Sequence, residues 1–64
     1  MKLIRTPNIS HPDSFYQELI DAQRDMSDDQ AEMFTTKLTL ILANHVGDTE
    51  VLREAITLAK SNPV

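Results

Sequence analysis

Sixty-four residues with no cysteine and a formal charge of −4 leave room for one thin-cored domain and exclude disulfides and thiolate metal sites together. Below roughly 70 to 80 residues a single apolar core supplies only about 3 to 5 kcal/mol, so unusually regular helix packing or a partner chain must add to it. The acidic balance, with a pI near 4.8, repels phosphate backbones and argues against a nucleic-acid partner.

Residues 1 to 10 carry no helical period, and Pro7 with Asn8 marks a turn, so this stretch is expected to be an extended arm, with 11 to 64 forming a three-helix domain. Leu3, Ile4 and Ile9 are its candidate anchors. The start MKLIRTPN lacks the unbroken apolar run of a secretory signal. The longest apolar run, Leu38 to Ala43 interrupted by Thr39, is far shorter than the roughly 20 residues that span a bilayer. A cytoplasmic location and no membrane partner are the expectation.

The first helix is expected over about 12 to 24. Pro12 suits a first helical turn, and Ser10 or His11 is the expected cap. Phe15, Leu19, Ala22 and Met26 recur at spacings of four, three and four, with Tyr16, Ile20 and Gln23 on the shoulder of the stripe. From Asp13 to Glu32 seven carboxylates face only Arg24, so most of the negative charge lies on this half of the chain.

The second helix, about 28 to 46, has the best-specified start. Ser27 and Gln30 read as a capping box, Met26 and Ala31 occupy the staple positions, and Asp28, Asp29 and Glu32 complement the helix dipole. Ala31, Phe34, Leu38, Ile41 and His45, joined by Leu42, make the expected core face. Gly47, the only glycine, is the left-handed cap. Asp48 then caps a third helix, about 49 to 60, which takes Val51, Leu52, Ala55, Leu58 and Ala59 to the core before Ser61, Asn62 and Pro63 stop it. The fold class is all-α, a small three-helix bundle.

Little in this chain suggests chemistry. His11 and His45 are the only bases suited to neutral pH, neither stands in a catalytic motif, and one glycine cannot build a phosphate loop. No intrinsic catalysis, cofactor or metal is expected. The densest polar cluster is Asn44, His45, Gly47 and Asp48. Capping explains it first, with Asn44 and His45 serving the last carbonyls of the second helix, while a ligand or metal site at His45 and Asp48 is the alternative. A zinc site adding His11 would require the start of the first helix to fold back on this corner. The acidic run lacks the spacing of a calcium loop, and a third helix carrying Glu50 and Glu54 is a poor DNA-reading helix.

A second apolar stripe points to another chain. Met33 and Leu40, seven apart, lie nearly opposite the expected core face, with Lys37 and Asn44 on the same side. These four are the expected interface. Antiparallel pairing of the second helix with its copy would bury them symmetrically.

The stretches HPDSFYQELIDAQRDMSDDQ and LTLILANHVGDTEVLREA, the latter holding the more distinctive ANHVGDTEVLREA, resemble a family of short bacterial proteins classed as a domain of unknown function. The resemblance covers roughly Asn8 to Lys60. Members are often encoded beside flavin-dependent hydroxylases and other enzymes of aromatic-compound breakdown. It implies an accessory role near such an enzyme and supplies no activity, cofactor or catalytic residue. The expected function is therefore a small helical interaction module, a homo-oligomer or the helper of a larger enzyme.

Overall fold

The computed structural model describes residues 2–61. It contains α1 (Pro12–Gln23), α2 (Asp28–Val46) and α3 (Thr49–Ser61), with no strand among the described residues. The all-α, three-helix expectation holds, and the helix ends fall within a residue of those read from the pattern. Asn62 and Pro63, the expected stop of the third helix, lie outside the described residues.

Each helix end has its own chemistry. At the start of α2 the Gln30 amide donates to Ser27 Oγ at 3.2 Å, and the Ser27 amide donates to Gln30 Oε1 at 2.9 Å. This reciprocal capping box satisfies two backbone donors that the helix cannot. At the other end Gly47 adopts φ 73°, and its N–H donates to Ala43 O at 2.9 Å. A Cβ there would approach only the Asn44 carbonyl oxygen, at 3.8 Å, so the need for glycine is conformational and not steric crowding. One residue later Asp48 Oδ1 accepts from the amides of Glu50 at 3.0 Å and Val51 at 3.3 Å, opening α3.

The start of α1 is weaker. His11 is its N-cap residue, yet no side chain completes the cap by a hydrogen bond, and only Pro12 and Asp13 favour the helix there. Between α1 and α2, Arg24 at φ −60°, ψ 136° and Asp25 at φ 71° form a turn closed by the Met26 amide on Gln23 O at 3.1 Å. These are type II turn angles, in which position i+2 normally takes glycine or asparagine; aspartate tolerates it less well.

The packing is far more open than the pattern suggests. The principal helix contact joins α2 to α3, with no comparable contact from α1. Val51, 6% exposed, is the one buried apolar side chain among the described residues, and Leu19, Met26, Ala31, Phe34, Leu38, Leu52, Ala55 and Leu58 are half-covered. Several expected core positions are instead on the surface: Phe15, Ala22, Ile41, Leu42, His45 and Ala59. The reason is geometric. An amphipathic stripe buries only as much as its neighbours can cover, and α1 does not close over the α2–α3 pair. The radius of gyration, 13.3 Å, exceeds the about 11 Å of a compact chain this long. Of the arm, Leu3 is half-buried while Ile4 and Ile9 stay exposed. Leu3 and Arg5 share a groove with Glu50, Glu54 and Leu58 of α3, which seats the arm on that helix.

Candidate interaction surface

The far side of α2 follows from simple helical arithmetic. At about 100° per residue, Met33, Lys37, Leu40 and Asn44 fall within a narrow arc of the helix, and Ile41 lies on its edge. All five are exposed. Met33 is 57%, Leu40 64% and Ile41 65% accessible, which places three large apolar side chains on one strip. Thr36 and Thr39 hydroxyls turn back to the carbonyls of Glu32 and Thr35, so they add no outward donor. Met26, Gln30, Met33, Phe34 and Lys37 line a groove that runs from this strip toward the half-covered face.

The structure extends the surface beyond the four residues expected from sequence. Ile41 was expected in the core. It stands four residues after Lys37 and one after Leu40, so the outer stripe could have claimed it as readily; periodicity alone does not say where one stripe ends. Phe15, Tyr16 and Ile20 on α1 and Ile56 on α3 are also exposed large apolar side chains. Ile56, four after Leu52, is off the Val51–Ala55–Leu58 line. That offset was its only signal.

The α2–α3 corner is a capping device. Asp48 is half-buried with its carboxylate oxygen on two amides, and His45, in the last turn of α2, is exposed. Neither Asn44 nor His45 takes up the α2 carbonyls; the Gly47 amide does, correcting that expectation. Among the described residues no group of three or more His, Cys, Asp or Glu side chains is placed to hold a metal ion. Likewise among them, no buried polar side-chain atom lacks a hydrogen-bond partner. The ion pairs Arg24–Asp21, 2.6 Å, and Arg53–Glu50, 2.8 Å, are exposed one-turn pairs that decorate single helices. No described helix is long and apolar enough to cross a membrane.

A strip of this kind can do one thing chemically: exclude water against another apolar surface. No curated protein and no solved structure matches the chain. A sequence-family model matches residues 3–61, and on that span the chain belongs to the family described as protein of unknown function (DUF2783).

Proposed function

We propose that this protein is a small helical interaction module, acting by packing its uncovered apolar faces against another polypeptide, and carrying no catalysis of its own. One observation carries the reading. A compact folded chain of this mass exposes about 4,100 Å², whereas this chain exposes 5968 Å². Ten large hydrophobic side chains stand exposed, three of them on one strip of α2. Scattered singly they would need no explanation, but grouped on a chain with so little core they describe an unfinished one.

The heterotypic form of this reading is an accessory subunit of a larger enzyme, such as the flavin-dependent hydroxylases implied by the family resemblance. In either form Met33, Lys37, Leu40, Ile41 and Asn44 are the contact residues. The alternative of a ligand at His45 and Asp48 has less support, because the Asp48 carboxylate already serves the amides of α3.

The test is the size of the untagged protein in a gentle lysate of its native cell. The expected result is migration well above 7.2 kDa, lost in a Leu40→Asp, Ile41→Asp double variant. Migration of the wild-type chain as a folded 7.2 kDa species, with the double variant equally stable, overturns the module.

A further inference from the structure

We infer that the groove at the start of α2 seats a basic amphipathic segment of a different protein, its apolar side chains on Met26, Met33 and Phe34 and its lysines or arginines beside Asp25, Asp29 and Glu32. The inference rests on the interaction-module reading and gives the chemistry of its partner. Two observations carry it.

The first is the groove itself. Met26, Gln30, Met33, Phe34 and Lys37 line it. Met26 and Phe34 are half-covered and Met33 is 57% exposed, so an apolar lining is open to another chain. Methionine suits such a seat, because its unbranched, polarisable side chain adapts to varied apolar partners.

The second is the charge around the groove. Asp29 stands one turn before Met33, about 40° from it around the helix, and Glu32 adjoins Met33 at about 100°. Asp25 precedes Met26 in the turn between α1 and α2. All three carboxylates are exposed. Arg24, the only cation between Asp13 and Glu32, is held by Asp21 at 2.6 Å. Among the described residues no cation therefore pairs with Asp25, Asp29 or Glu32. Lys37, the groove's own cation, lies one turn beyond Met33, so the positive charges of the occupant belong at the Met26 end.

This rim selects among occupants. Nucleic acids and anionic lipid surfaces are repelled by it. A two-fold copy of this chain centred on Leu40 would set Glu32 opposite Asp48 and Asp28 and Asp29 beside Glu50, acid against acid. A basic segment meets the carboxylates with opposite charge. Apolar contact then supplies the affinity, while the charges choose the partner and hasten encounter.

Two synthetic peptides test this on the full chain. Both are amphipathic helices with the same leucine face; one carries three lysines at one end, the other three glutamines at the same positions. By calorimetry the lysine peptide is expected to bind about tenfold more tightly, the scale that three exposed ion pairs supply together. The preference is expected to vanish in about 1 M salt, where the screening length falls to about 3 Å. It is also expected to vanish in the triple variant Asp25→Asn, Asp29→Asn, Glu32→Gln and to persist in Asp13→Asn, Glu18→Gln, Glu54→Gln, which removes as many charges elsewhere. Equal binding of the two peptides, or equal loss of preference in both triple variants, overturns the basic partner and leaves the module intact. Self-association of the pure chain that Met33→Asp abolishes makes the occupant a second copy and likewise overturns it. Binding of neither peptide overturns the seat; a lysate species of only 7.2 kDa alongside that result removes the module as well.

Discussion

The α2–α3 corner and the first helix are built from similar residues yet differ in how completely they are finished. At the corner, Gly47 closes one helix, Asp48 opens the next, and Val51 is buried directly beneath. At α1 the cap is a bare backbone, the exit turn puts Asp25 at positive φ, and Phe15, Tyr16 and Ile20 remain exposed. The lesson is that amphipathic pattern and tertiary burial are separable. Pattern makes a helix worth burying, but a covering surface must exist, and among the described residues it is complete enough to bury an apolar side chain at Val51 alone, where α2 and α3 meet.

The sharpest way to break the contrast is at Val51. Val51→Asp places a charge in the one buried apolar site among the described residues, and since burying an unpaired charge costs several kcal/mol against a total of about 3 to 5, the cooperative thermal transition should vanish. Loss of only a degree or two would mean that the corner is no more essential than the rest. Next is Gly47→Ala, expected to cost about 1 to 2 kcal/mol in chemical denaturation because alanine must enter the left-handed region. Gly47→Asn should recover part of it, since asparagine visits that region more readily; an equal loss in both variants would point to crowding instead. The smallest effect compares two caps. Ser27→Ala removes the Oγ that accepts from the Gln30 amide, while the backbone N–H of residue 27 keeps its bond to Gln30 Oε1, and should cost about 1 kcal/mol, while His11→Ala, which removes no side-chain cap bond, should change stability by less than about 0.5 kcal/mol. Equal losses would show that α1 is better anchored than its exposed face suggests.

Much of the local structure was legible in the residues. Ser27 with Gln30, Gly47 and Asp48 act through bonds spanning at most four positions, so their partners are fixed by spacing whatever the rest of the chain does. The fate of Ile41 was not legible. It sits between the inner and outer stripes of α2, and only the placement of the neighbouring helices decides which side of the boundary it falls on. The same holds for Phe15 and Leu42, which match the core pattern and are exposed. The outer strip was half visible: Met33, Lys37, Leu40 and Asn44 share an arc by arithmetic alone, but that the strip is wider, and that α1 and α3 add exposed apolar side chains of their own, required coordinates.

By itself, then, the sequence determined three helices, their ends and the order of their caps, because hydrogen bonds between near neighbours and the 3.6-residue repeat are local properties of a chain. Only the tertiary structure decided how much of each apolar face is covered, because burial depends on where distant segments come to rest. That coverage is what leaves Met33, Leu40 and Ile41 of α2 exposed while Val51 is buried.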